Sequence, residues 1–174
     1  MNYLMVDGLG DPKTSADYRA AIEALFSVSY TLKFAIKKAR GTDYAVMPLE
    51  SLWWTNDDKP FGTGDKNHWR WTAMIVQPSF VAKNEVKPAM EAAAKKKDLR
   101  ALTRLRFESY NEGESLQIMH VGPYSAQGPT IARLHDRVQQ DGYALSGKHH
   151  EIYLSTPDRT SPEKLRTIIR QPVK

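Results

Sequence analysis

YLMVDGLGDPKTSADYRAAIEALFSVSYTLKFAIKKAR, residues 3–40, sets the pattern from which the rest of the chain is read. Leu4-Met5-Val6 is a short apolar run closed by the turn-rich Asp7-Gly8-Leu9-Gly10-Asp11-Pro12, which reads as a strand and its exit. Thr14 or Ser15 stands where a helix N-cap is expected, and Gly41 follows Arg40 where the helix should end. Between them Tyr18, Ile22, Leu25, Phe26, Ser29, Leu32 and Ile36 recur at helical spacing and form a core-facing stripe. Lys33 falls inside that stripe, whereas Tyr30 and Phe34 lie beside it.

Working outward, residues 44–54 and 68–77 read as two strands. The polar loop between them contains Asp57, Asp58, Pro60, Gly62 and Gly64, a composition that suggests mobility. The second strand alternates Trp69, Trp71, Ala73 and Ile75 with Arg70, Thr72, Met74 and Val76, so neither face is purely polar and both should be covered. Residues 84–97 form an alanine- and lysine-rich helix in which Pro88 is tolerable only near the first turn. Residues 102–110 and 115–121 look like an antiparallel pair joined around Asn111-Glu112-Gly113-Glu114. Gly128-Pro129 opens a helix with Ile131, Leu134, His135 and Val138 inward, and Gly142 ends it. Residues 149–155 make a further strand, and Thr160 or Ser161 with Pro162 and Glu163 begins a short helix. The order strand–helix–strand–strand thus occurs in residues 3–77 and recurs, less cleanly, after the middle helix. One α+β domain over residues 1–174, built from duplicated modules with helices on one face of an antiparallel sheet, is the economical reading.

Composition narrows the function. At 174 residues, 41% hydrophobic and 26% charged, the chain is ordinary globular protein. It has no apolar run long enough for a membrane helix and no signal-peptide pattern. The absence of cysteine excludes disulfides, thiolate metal sites and cysteine nucleophiles, and fits the cytoplasm. The net charge of +5 is not organised for nucleic acid: Lys95-Lys96-Lys97 with Arg100 ends a helix, where cations complement the dipole. Nor does this charge suit an acidic, DNA-mimicking partner surface.

The aromatic residues are concentrated. Trp53, Trp54, Trp69 and Trp71 are all the tryptophans of the chain and fall on two adjacent expected strands. Each alone reads as core, but four indole N–H groups on one hairpin suit the wall of a small-molecule pocket, with Trp53 and Trp54 pointing to opposite faces. Lys33 reads either as a snorkelling cation or as an ammonium at a pocket rim, and Tyr110 and Tyr124 as packing or as donors into a cavity. In Lys148-His149-His150-Glu151-Ile152-Tyr153-Leu154-Ser155, alternation puts His149, Glu151, Tyr153 and Ser155 on one face. His150, Ile152 and Leu154 share the other, with Ile152 and Leu154 as its core side. By alternation alone Glu151 reads first as a surface carboxylate. The sharper reading sets it beside Tyr153 in a cavity, as a base or as counter-charge to a cation. Adjacent strand histidines cannot chelate one ion, and His120 and His135 lack a companion at ligand spacing, so no metal is expected. Acyl-transfer, nucleotide and dinucleotide motifs do not occur.

Several blocks, in order, carry a resemblance: Leu4–Gly8 with Gly10-Asp11-Pro12, Ser27–Phe34, Pro48–Trp54, Gln117–Tyr124 and Gly147–Ser155. Together they resemble the GyrI-like small-molecule-binding family, above all its stand-alone branch without a DNA-binding domain. The resemblance implies duplicated strand–helix–strand–strand modules with a ligand cleft between the halves. It also implies that Glu151 is a pocket carboxylate of the kind that meets cationic aromatic drugs in related regulators. Members of the stand-alone branch resemble cyclopropanoid cyclopropyl hydrolases, which open spirocyclopropane DNA-alkylating compounds of the yatakemycin and duocarmycin type with water. On that expectation Glu151 is the general base, and Tyr30, Tyr153, His120 and Lys33 are candidate donors to the departing charge. Trp53, Trp54, Trp69, Trp71, Tyr110, Tyr124 and Phe34 would line the ligand, no cofactor or metal is needed, and the alternative is a non-catalytic binding module. Gyrase interaction, the property of the family's namesake, finds no support in the charge pattern.

Overall fold

The computed structural model describes residues 1–55 and 66–174, so the polar loop expected at residues 57–64 lies outside the described residues. The elements in chain order are β1 (Asn2–Leu9), α1 (Ala16–Arg40), β2 (Glu50–Trp54), β3 (Arg70–Gln77), α2 (Lys83–Ala94), β4 (Arg106–Ser109), β5 (Ser115–Val121), α3 (Gly128–Gln140), β6 (His149–Tyr153) and β7 (Arg166–Pro172). The pairs β1–β3, β1–β4, β2–β6, β6–β7 and β5–β7 are all antiparallel, and the fold is α+β as expected. Two compact units divide the chain, Met1–Met47 with Lys66–Tyr110 and Pro48–Asp65 with Asn111–Lys174.

In the first unit β1 lies between β3 and β4, paired with β3 from Asn2↔Gln77 to Leu9↔Arg70 and with β4 from Asn2↔Ser109 to Met5↔Arg106. The Ser15 hydroxyl accepts the Tyr18 backbone N–H at 3.1 Å and starts α1, and Gly41 ends it in the left-handed region at φ 69°. The buried side of α1 is Tyr18, Ala21, Ala24, Leu25, Val28, Ser29, Leu32 and Ile36, which is the expected stripe with alanines filling in. The buried Ser29 hydroxyl accepts from Gln77 Nε2 at 3.3 Å. Trp71 is fully buried, meeting Tyr18 edge-on at 5.0 Å. The Trp71 ring lies so close over Gly8 that a Cβ there would fall 2.1 Å from it. Both faces of β3 are buried over most of its length, as its mixed pattern implied.

In the second unit the strands run β2–β6–β7–β5, each pair antiparallel. The chain-order repeat is legible in the pairing. The outer strands of each copy pair with one another (β1 with β3, β5 with β7), and the two middle strands, β2 and β6, also pair.

Three expectations are corrected. The strand expected over 44–54 is only Glu50–Trp54, because Pro48 has no N–H to give a ladder. Residues 102–110 and 115–121 do not form a hairpin: β4 pairs with β1, and β5 pairs with β7 over seven positions, more ladder than the four residues of β4 could offer. The helix expected after Ser161 is a single 3-10 turn, Pro162–Lys164, and the chain then enters β7. Among the described residues no helix is long and apolar enough to cross a membrane.

Candidate functional site

Strand β6 turns two chemically different faces to its surroundings. His149, Glu151 and Tyr153 share one, and the antiparallel register adds Trp53 and Ser51 from β2 and Ile169 and Thr167 from β7. His120 of β5, opposite Thr167, lies on the same face. The amino end of α3 covers this face, because Gln127 bonds to Glu151 and Thr130 bonds to His120.

Glu151 is therefore buried, with 6% exposure, and is not the surface carboxylate that alternation alone allowed. Its Oε1 is 3.1 Å from His149 Nε2, and its Oε2 accepts from the Gln127 amide nitrogen at 3.4 Å. With the Gln127 amide turned over, its nitrogen donates instead to the Tyr124 carbonyl at 3.2 Å and to Glu151 Oε1 at 3.3 Å. Either way a donor stays on the carboxylate. Burial, helped by the charge of Glu151, pushes the Tyr124 phenol above its ordinary value, so it stays protonated as a donor at neutral pH. The Tyr124 and Tyr153 rings meet edge to face at 5.6 Å, and the Tyr153 hydroxyl accepts the Trp53 indole N–H at 3.2 Å. A buried carboxylate, an amide, two phenols and an indole thus converge from β2, β6 and the turn before α3.

The other face of β6 holds a charge network. His150, fully buried, bonds through Nε2 to Glu50 at 2.9 Å and through Nδ1 to Glu112 at 3.1 Å, and Arg170 meets Glu112 at 2.9 Å. Burial alone would lower the pKa of His150, but its bonds to Glu112 and Glu50 outweigh this and raise it. Burial pushes Glu112 up, and the His150 and Arg170 charges bring it below its ordinary value. The expectation that Ile152 and Leu154 make the core side of this face is corrected: Leu154 is 36% exposed, and the buried group is His150, admitted by its two carboxylate partners. No group of metal-ligating side chains fit to hold an ion occurs among the described residues. The carboxylates of this network sit on opposite nitrogens of one ring and cannot share a cation with it.

The remaining candidates are placed as follows. In the second unit, Trp54 carries the Lys148 ammonium 3.6 Å from its ring centroid, and His120 is 5% exposed between Thr130 and Pro123. In the first unit, Trp71 is core, Trp69 is buried with Lys66 4.9 Å over its ring, and Tyr110 meets Tyr3 edge-on at 6.3 Å. Tyr30 and Phe34 are exposed on α1 and stack in series with Phe26, and Lys33 pairs with Asp43 at 3.2 Å. Gln127 was missed by sequence reasoning, and His149 was weighed only as a metal ligand. His149 was legible, since it shares the parity of Glu151; Gln127 announced itself only as the residue before the Gly128-Pro129 helix start.

The model of the GyrI-like small molecule binding domain family matches residues 1–174. Among solved structures, an uncharacterized conserved protein from Listeria innocua is 38% identical, with 100% of this chain and 88% of that one covered and a TM-score of 0.91. A hydrolase from Listeria innocua is 37% identical, with 100% and 87% covered and a TM-score of 0.85. The EcmrR C-terminal domain, 15% identical over 99% of this chain and 90% of its own, shares the fold at a TM-score of 0.58. No curated protein matches the chain.

Proposed function

The chain belongs to the GyrI-like small-molecule-binding family, and from that premise we propose that it binds flat aromatic molecules and hydrolyses spirocyclopropane DNA-alkylating compounds with a water activated by Glu151. The observation that carries this reading is the buried Glu151 carboxylate, held by His149 and Gln127 beside the phenols of Tyr124 and Tyr153. The name hydrolase borne by a 37% identical relative supports a water-consuming reaction.

In this mechanism the water oxygen bonds to the cyclopropane methylene and Glu151 takes its proton. The carbon–carbon bond to the spiro centre breaks, and its electron pair passes through the dienone to the carbonyl oxygen, which becomes a phenolate. Return of the proton gives a phenol and a ring-opened alcohol, so one water is added and nothing is lost. The balance calls for no cofactor or metal. A donor aimed at the developing oxyanion lowers the barrier. Tyr153 is favoured, because accepting from Trp53 polarises its own O–H. His120 and Lys33 are engaged by Thr130 and Pro123 and by Asp43.

Incubation with a spirocyclopropane compound, followed by mass spectrometry, tests the reading. The wild type should yield the hydrated product, and Glu151→Gln should lose turnover by about a hundredfold or more while still quenching tryptophan fluorescence on binding. Undiminished turnover by Glu151→Gln would overturn the assignment. Quenching without product in the wild type would favour the second reading, a sequestering module, for which an aromatic site with a buried carboxylate suits an organic cation.

A further inference from the structure

We infer that His120 is a positioning residue, a clamp that holds the turn carrying Tyr124 and Gln127 against Glu151. The inference rests on Glu151 being the working carboxylate. Gln127, which bonds to Glu151, and Tyr124, whose ring meets Tyr153, come from one short segment, 122–127. This segment leaves β5 at Gly122, at φ 136°, passes Pro123, makes a 3-10 turn over Tyr124–Ala126 and enters α3 after Gln127. Short backbone bonds, Ala126 N–H to Pro123 O at 2.9 Å and Gln127 N–H to Tyr124 O at 3.3 Å, shape the turn, and Gly122 N–H to Leu165 O at 2.9 Å holds it at its start.

His120 fixes it at two points. Its Nε2 lies 3.2 Å from the Pro123 carbonyl, and its Nδ1 lies 2.9 Å from the Thr130 hydroxyl. A carbonyl only accepts, so Nε2 donates to Pro123, and the Thr130 hydroxyl, which can donate or accept, pairs with Nδ1. These contacts bracket the segment, one before Tyr124 and one in the first turn of α3. The imidazole itself is anchored by β5, whose His120↔Thr167 register belongs to a seven-position ladder with β7. Gly122 completes the arrangement: a Cβ there would stand 3.4 Å from His120 Nε2, against the clamp. His120 thereby acts on Glu151 through Gln127 and Tyr124.

Thr130→Val removes the hydroxyl at a half-buried position with little change of shape, and Thr130→Ser restores it; His120→Ala removes both contacts. The Tyr124 phenol, assigned with Tyr124→Phe, is followed by carbon NMR during an alkaline titration of each folded variant. In the wild type and Thr130→Ser it should titrate above the ordinary tyrosine value of 10.0. In Thr130→Val and His120→Ala it should fall back toward that value as the ring loses its partial burial and its place near Glu151. With a spirocyclopropane compound, Thr130→Val should lower kcat by about tenfold with KM nearly unchanged, and Thr130→Ser should recover it. An unaltered Tyr124 titration in both Thr130→Val and His120→Ala overturns the clamp, whatever the turnover. Absence of turnover in the wild type removes the hydrolytic reading alone, since the titration still decides the clamp; if His120→Ala does not fold, Thr130→Val decides it.

Discussion

Replacing His150 with leucine should unsettle the second unit more than any surface change, and the structure sets the scale. The imidazole is fully buried between Glu50 at 2.9 Å and Glu112 at 3.1 Å, whose side chains are 7% and 9% exposed. Leucine keeps the approximate volume but leaves Glu50 without its histidine partner, and Glu112 with Arg170 in place of both cations. Removing one partner of a buried ion pair costs about 3–5 kcal/mol, a large share of the roughly 5–15 kcal/mol that holds a domain folded. For a chain of this size that amounts to a fall in Tm of about 6–20 °C. The pH dependence gives a second readout. The pKa of His150 is raised on folding, so its contribution is complete below its unfolded value of 6.5 and is lost as pH climbs through the folded value. That of Glu112 is lowered, so its contribution is present above 4.5 and is lost as acid takes pH through the folded value. Urea unfolding of the wild type from pH 5 to 9 should therefore weaken on the alkaline side, and His150→Leu should lack that part of the slope. Adding Glu50→Leu to His150→Leu should recover stability by removing the stranded charge. A His150→Leu protein within about 1 kcal/mol of the wild type, with the alkaline slope intact, would refute the reasoning.

Two further outcomes follow from the first unit. Gly8→Ala places a methyl 2.1 Å from the fully buried Trp71 ring, an overlap that backbone and ring must both yield to; a loss of about 2–3 kcal/mol by denaturant titration is expected, with a change in the near-ultraviolet tryptophan signal. Ser15→Ala removes the hydroxyl that accepts the Tyr18 N–H and should lower stability by about 1 kcal/mol, whereas Ser15→Asp should hold it.

What could be read from the sequence was what local chemistry decides. Ser15 and Gly41 bound α1 because a cap and a left-handed terminus are properties of single residues, and the stripe from Tyr18 to Ile36 follows from helical spacing. The strand pairing after Tyr110 was not legible, because the local turn signal of Asn111–Glu114 competes with a partner, β7, some fifty residues further on. The strand β7 itself was hidden by its alternation: Thr167, Ile169 and Gln171 are buried on one side, while Arg166, Ile168 and Arg170 are not, so its run reads as mixed and polar. The parity of β6 placed Glu151 with Tyr153, but the burial of that face depends on α3, whose seating no residue of β6 records. Hence alternation could say which residues share a face, and not whether the face is wet.

The two faces of β6 also answer why a strand only five residues long carries two histidines and a glutamate. A buried carboxylate needs partners, and the kind of partner decides what remains for chemistry. Glu112 is met by an imidazole with a raised pKa and a guanidinium, so its charge is answered within the fold and its lowered pKa makes it a poor proton acceptor. Glu151, one residue from that network, is met by the His149 ring and the Gln127 amide and lies beside two phenols. Because consecutive strand residues point oppositely, the ionic network on one side can fix the β2–β6–β7 backbone without approaching the carboxylate on the other. A rigid strand then presents Glu151 at a fixed place, as its proposed role of base toward a bound water requires. The division is testable as a whole: changes at His150 should move stability and leave ligand affinity per folded molecule nearly unchanged, and changes at Gln127 should move ligand affinity as well as stability, since they strip a donor from buried Glu151.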